Sequence, residues 1–264
     1  MTLPELKSMK IILKKYLIFK TQLMRKLLFI GLVYLVIACK QIPKKKIASA
    51  EATAPQKEWV DLFNGVSFDG WHQFNSSEMS AAWIIEDGAM VLPDGTGSGK
   101  GNNIVTDREF TDFELSLEWK IVEGGNSGIF WGVKEGEIYK TPYQTGPEIQ
   151  VLDNERHPDS FVKPNFHQAG ALYDMVQPSM DVCKPAGEWN HVFISINYTT
   201  NKASVKLNDV EIVNFPLSGP EWDTLVANSK FKDWKDFAKF KTGKIGLQDH
   251  GDGVSYRNIK IREL

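Results

Sequence analysis

Two cysteines in 264 residues leave almost no scope for a disulfide framework. Long apolar runs are also missing. The longest uncharged apolar run, Leu27 to Ala38, has twelve residues, short of the ~20 that span a bilayer as a helix. A basic face is lacking too. Residues 1–39 hold seven of the 31 basic residues and one of the 33 acidic ones, so 40–264 carries a net charge of −8. That balance excludes a nucleic-acid-binding body, which needs clustered positive charge. There is no GxSxG, hence no nucleophile elbow. The Gly-rich stretch 95–101 lacks GxxxxGK[ST] and is no phosphate loop. Hydrophobic residues make up 42% and charged residues 24%, ordinary for a chain that buries a core.

What is present divides the chain into three parts. Met24-Arg25-Lys26 precedes the apolar run, which ends Val36-Ile37-Ala38-Cys39. A charged n-region, a short apolar stretch and a small residue before Cys read as an exported leader, residues 1–39. The ending resembles the lipobox of bacterial lipoproteins and implies lipidation at Cys39, a membrane anchor and a place in the cell envelope. Residues 1–23 exceed an ordinary leader and point to a start at Met24 or Met9. Residues 40–57, rich in Lys, Ala, Pro and Ser, read as a flexible tether. With Cys39 lipidated, Cys183 has no partner, and no thiol-enzyme pattern surrounds it, so it reads as structural.

Residues 58–264 read as short strands between turn signals. Trp83–Glu86 and Ala89–Leu92 flank Asp87-Gly88, a hairpin signal, and Ala203–Leu207 and Val210–Phe215 flank Asn208-Asp209. Phe113–Trp119 and Val192–Ile196 alternate strictly between apolar and polar. About a dozen such strands predict an all-β sandwich of two antiparallel sheets. One helical segment is predicted near 220–238, opened by Pro220 with Glu221 and Asp223 behind it.

Two strands place polar residues opposite core residues. In Glu148–Asp153, Ile149 and Val151 share a face, so Glu148 and Gln150 share the other. In Lys244–His250, Ile245 and Leu247 enter the core, and Gly246, Gln248 and His250 face outward together. If both strands lie in one sheet, four polar side chains meet on one concave surface, with Gly128 and Gly246 leaving hollows for a pyranose ring. A carboxylate, two amides and an imidazole suit recognition of sugar hydroxyls and proton transfer. Each strand alone fits a solvated face equally well. His157 and His167, ten residues apart, match no zinc spacing rule.

Together these segments resemble the 3-keto-disaccharide hydrolase domain family. Leu62-Phe63-Asn64-Gly65, Phe68-Asp69-Gly70-Trp71, Asn126–Phe130, Glu148–Asp153, Gly187–Asn190, Gly246–Gly251 and Tyr256–Leu264 carry the resemblance, in order. It implies a concanavalin A-like jelly roll with a sugar-binding concave sheet, and cleavage of glycosides that carry a 3-keto group. Carried over by motif are Glu148 and His250 as catalytic residues, and Gln150, Gln248, Asp153 and Arg257 as substrate-binding ones. A 3-ketone acidifies the C2 proton, so a base can start β-elimination, and water addition afterwards gives net hydrolysis. Arg257, or a divalent ion held by His and carboxylate groups, would stabilise the oxyanion. The ExDxxE strand motif of laminarinase-like glycosidases is absent, since Gln150 stands where its Asp would be, which argues against ordinary retaining hydrolysis. A non-catalytic carbohydrate-binding envelope lipoprotein is the alternative, because such sandwiches also serve lectins.

Overall fold

The computed structural model describes residues 57–264 except positions 100 and 164. The leader, the lipobox with Cys39, and the tether up to residue 56 lie outside the described residues. In chain order the strands are β1 (Val60–Asp61), β2 (Trp71–Gln73), β3 (Ile84–Glu86), β4 (Ala89–Leu92), β5 (Ile104–Phe110), β6 (Phe113–Ile121), β7 (Asn126–Val133) and β8 (Glu148–Leu152). Then come β9 (Asn190–Asn197), β10 (Lys202–Leu207), β11 (Val210–Phe215), helix α1 (Pro220–Ala227), β12 (Gly243–Leu247) and β13 (Val254–Glu263).

All pairings are antiparallel and build two sheets. The larger runs β11-β10-β9-β6-β13-β4-β3, with β1 on the far half of β13; the smaller runs β2-β5-β12-β7-β8. This is the jelly-roll sandwich that the alternation and the family resemblance anticipate. Phe113, Leu115, Leu117, Trp119 and Ile121 of β6 are buried between the sheets, while the residues between them are half-exposed. Ile149, Val151, Ile245 and Leu247 meet them from the smaller sheet. Both anticipated hairpins form. Asp87 and Gly88 (φ 50° and 73°), like Asn208 and Asp209 (φ 49° and 67°), are left-handed at both central positions, as a tight two-residue turn requires.

The structure departs from the alternation at β8. A half-buried strand was expected, yet all five of its residues are buried. Its outer edge is covered by segment 170–173, through Gly170 N–H to Gln150 O (2.8 Å) and Tyr173 N–H to Glu148 O (3.0 Å). Covering satisfies an edge that would otherwise recruit another strand.

The helix also ends early, at Ala227 rather than near 238. The Ser229 hydroxyl donates to Val226 O (2.8 Å) and accepts from Phe231 N–H (3.1 Å). Asp174 Oδ2 captures Lys230 N–H at 2.6 Å. These side-chain bonds outcompete the next helical turn, and the chain instead folds Phe231 onto Phe237, rings 3.9 Å apart and nearly parallel.

Leu117 is fully buried midway along β6. Leu117→Ala should therefore lower unfolding free energy by about 2–5 kcal/mol, since transfer and cavity costs add. Urea denaturation with an unchanged m-value measures it; a loss below about 1 kcal/mol would contradict this core.

Candidate active site

Strand β7 lies between β8 and β12. Gly128 pairs with Gln150 on one side, and its carbonyl accepts the Gln248 N–H at 3.0 Å on the other. Because Ile149, Val151, Ile245 and Leu247 point into the sandwich, Glu148, Gln150 and Gln248 point away from it. With His250, just past the end of β12, they line one cleft of about 320 Å³. The opposite walls are Tyr143, Tyr173, Lys230, Phe231 and Trp234.

The two glycine hollows are filled by the protein itself. A Cβ on Gly128 would lie 2.0 Å from Glu148 Oε1, and one on Gly246 would lie 3.2 Å from Phe130 Cδ2. The expectation that they cradle a sugar ring is thus corrected: one holds a carboxyl, the other a phenyl ring. Glu148 is only 7% exposed. Burial pushes its pKa up to about 8, with the Lys230 charge pulling down and Asp159 pushing up. At neutral pH it holds its proton and is an acid rather than a base. The Gln150 amide, oriented to satisfy its neighbours, puts its nitrogen 3.1 Å from both Glu148 Oε1 and Ser127 O. Gln248 is 6% exposed, and its Oε1 has no hydrogen-bond partner among the described residues. Such an orphan acceptor costs about 1–3 kcal/mol, which a ligand hydroxyl would recover.

His250 stands at the cleft mouth, its side chain 43% exposed. Its Nδ1 lies 3.6 Å from Asp252 Oδ2, an oxygen that also accepts the Asn126 N–H at 3.0 Å. The backbone under His250 is anchored by Asp249, which is 1% exposed. The Asp249 carboxylate accepts from Ser98 N–H (3.0 Å), Ser98 Oγ (3.0 Å), Asn102 Nδ2 (2.9 Å) and Gly251 N–H (2.9 Å). Burial opposes its ionisation, but these donors outweigh burial and hold its pKa below the usual range. Gly97 packs so close that a Cβ would meet Asp249 Oδ1 at 2.5 Å. The Gly-rich stretch is therefore a wrap around a buried carboxylate.

His157, His250 and Asp252 are the described residues that could hold a metal ion, one ligand atom of each lying within 4.8 Å of the others. Against this, His157 Nδ1 accepts the Asp159 N–H at 3.1 Å. The proton of the neutral ring then sits on Nε2, leaving no free lone pair.

Two of the six motif residues lie elsewhere, correcting their assignment to the substrate. Asp153 is buried at the end of β8 and accepts from Gly124 N–H (2.7 Å), Glu155 N–H (3.1 Å) and Arg156 Nη1 (3.2 Å). It caps a turn. Arg257 lies on the outer face of the larger sheet, its Nε 2.5 Å from Glu118 Oε2 and its guanidinium 3.9 Å above the Trp189 ring. Cys183 stays structural: burial pushes its thiol up to about 12, far from a reactive thiolate. Lys230, Phe231 and Trp234 escaped the sequence reading because no local signal says where the chain turns after α1 or which strand it packs over.

Behind Tyr173 lies a charged network. His167 bonds Asp159 through Nδ1 (2.9 Å) and Asp174 through Nε2 (3.0 Å). The Tyr173 hydroxyl donates to Asp159 Oδ2 (2.8 Å), and its ring stacks on His167 at 4.3 Å. Burial opposes the imidazolium, but the two carboxylates prevail and raise its pKa above 6.5.

The fold and cleft define a class: a β-sandwich with a polar, aromatic-walled site on the outer face of its smaller sheet, suited to carbohydrate. Residues 58–262 match the family described as the 3-keto-alpha-glucoside-1,2-lyase-like domain, and the chain belongs to that family. It is 32% identical over 249 residues, 85% of each chain, to a protein of Bacteroides thetaiotaomicron named 3-keto-disaccharide hydrolase. Among solved structures, a candidate glycosyl hydrolase of Parabacteroides distasonis is 32% identical with a TM-score of 0.70, covering 78% of this chain and 94% of that one. A second from the same organism is 25% identical with a TM-score of 0.58, covering 78% and 100%. The chain is thus a carbohydrate-acting enzyme of the hydrolase type.

The His167 network has a pH signature. His167 is raised, so its contribution to stability is complete below its unfolded value near 6.5 and is lost as pH climbs through the folded pKa. Asp159 and Asp174 are lowered, so theirs is complete above about 4 and is lost as pH falls through the folded values. His167→Gln should cost about 3–5 kcal/mol between about pH 4 and 6.5 and less toward alkaline pH. Thermal melts across pH measure this; an equal loss at every pH would contradict the charged pair.

Proposed function

We propose that the chain cleaves glycosides whose sugar carries a ketone at C3. His250 Nε2 takes the C2 proton, and the C–H electron pair moves toward C3 as the ketone oxygen becomes an enolate. The pair then returns to form the C1=C2 bond while the C1–O bond breaks. Glu148 gives its proton to the departing oxygen. Addition of water across C1=C2, hydroxyl to C1 and proton to C2, turns the elimination into net hydrolysis. Gln150 and Gln248 hold sugar hydroxyls, and the aromatic wall receives a ring face.

The observation that carries this reading is a buried carboxyl, its pKa raised by that burial, sharing a cleft with an exposed imidazole. An acid and a base held apart in environment are what such an elimination needs. Glu148 is the one carboxyl among the described residues lining the cleft, so two-carboxylate glycosidase chemistry lacks its second member.

The test is release of a chromogenic alcohol from a 3-keto-glucoside and from the unoxidised glucoside. Only the keto sugar should react. His250→Ala and Glu148→Gln should each lower kcat by about 10²–10⁴-fold. Turnover should fall above pH about 8, as Glu148 loses its proton. Equal cleavage of the unoxidised glucoside would sink the reading.

To the same reading belongs export to the cell envelope with a lipid on Cys39, supported by the apolar run that ends at that residue. Cys39→Ser should abolish metabolic labelling with a fatty acid; persistent labelling would refute it.

A further inference from the structure

Lys230 is the one lysine among the described residues that lines the cleft. Lys163 pairs with Asp174 at 3.1 Å, Lys134 with Glu109 at 2.7 Å, and Lys244 donates to Thr106 O at 2.9 Å. Unlike these three, the Lys230 ammonium has, among the described residues, neither an ion-pair partner nor a hydrogen-bond acceptor. Its contacts are aromatic: Nζ lies 4.0 Å from the Tyr173 ring centroid and 5.2 Å from that of Phe231. A cation over a ring face is held in place while its N–H donors stay available.

The platform beneath it is rigid. The Lys230 backbone is tied to Asp174. Tyr173 is fixed by its hydroxyl bond to Asp159 and by the His167 ring, itself clamped between Asp159 and Asp174. Packing against the rings lowers the Lys230 pKa, while the Glu148, Asp159 and Asp174 charges act to raise it.

Elimination from a 3-keto sugar makes such charge at one atom, the C3 oxygen. Arg257, the residue that family resemblance suggested for this role, lies on the other sheet. We propose that Lys230 stabilises the enolate oxygen, donating N–H bonds to it while His250 holds the C2 proton and before Glu148 protonates the leaving group. When the C1–O bond breaks the C3 ketone re-forms, the negative charge leaves on the departing oxygen, where the Glu148 proton neutralises it, and Lys230 ends the step unchanged. This rests on the 3-keto-glycoside reading above. Donors aimed at developing charge in a water-poor site are typically worth about 10²–10³-fold in kcat.

The experiment compares the wild-type full chain with Lys230→Met and Lys230→Arg on a chromogenic 3-keto-glucoside, and follows C2 proton exchange with deuterated water by NMR. Lys230→Met should lose about 10²–10³-fold in kcat and as much in exchange, with KM changed only a few-fold. Lys230→Arg, which keeps charge and donors, should recover part of the loss. Undiminished kcat in Lys230→Met beside an active wild type would overturn this role alone. A wild type inert on keto sugars would overturn the reading beneath it and this role with it. Borohydride trapping of a sugar adduct on Lys230 would also overturn the electrostatic role, because it would show an imine.

Discussion

Glu148 occupies the space left by the missing side chain of Gly128, and the rest of the cleft is arranged around that contact. Any side chain at position 128 would collide with the carboxyl. Glycine inside a strand forfeits packing and stiffness. Here the sacrifice lets a carboxyl lie flat against the sheet, out of water and with Gln150 beside it. Out of water it keeps its proton, and a protonated carboxyl is a donor where an ionised one would only accept.

Burying that carboxyl requires a cover over the smaller sheet, and the covers are built from loops pinned by charge. Segment 170–173 runs along the free edge of β8, and the turns after α1 bring Phe231 and Trp234 across from it. Three buried acids hold these loops. Asp249 gathers the Gly-rich stretch, Asp153 caps the end of β8, and Asp174 joins His167 to the Lys230 backbone. Each accepts several N–H bonds, which is how a buried carboxylate stays charged at tolerable cost. None of the three lines the cleft. Polar burial here serves loop placement as much as chemistry.

The relatives bear two activity names, one a lyase and one a hydrolase. Both fit one chemical sequence that differs in its last step. Elimination leaves a double bond between C1 and C2, and the fate of that bond decides the name. Among the described residues the cleft holds one carboxyl, one imidazole and one ammonium, which suits a first step that needs an acid, a base and a cation. Nothing in it resembles the paired carboxylates of direct hydrolysis.

Alternation in the sequence was enough to reveal the strands, their inward faces and the tight hairpins at Asp87-Gly88 and Asn208-Asp209. Those features follow from steric rules that act over a few residues. The same parity put Glu148, Gln150 and Gln248 on a shared outward face, and that placement holds because β8 and β12 flank β7 in one sheet. Parity failed for Arg257, which shares parity with buried Ile259, because the register shifts between Arg257 and Lys260, with Asn258 at φ 53°, and Arg257 turns to the outer face of the other sheet. It failed for the hollows at Gly128 and Gly246, since vacancy along a strand does not say which neighbour fills it. Lys230 and the aromatic wall were hidden because Ser229 and Asp174 end the helix through bonds to residues distant in sequence or in the next turn. Local periodicity thus sufficed for the scaffold and half of the site. Its opposite wall was decided only in three dimensions, because long-range hydrogen bonds chose where the loops come to rest.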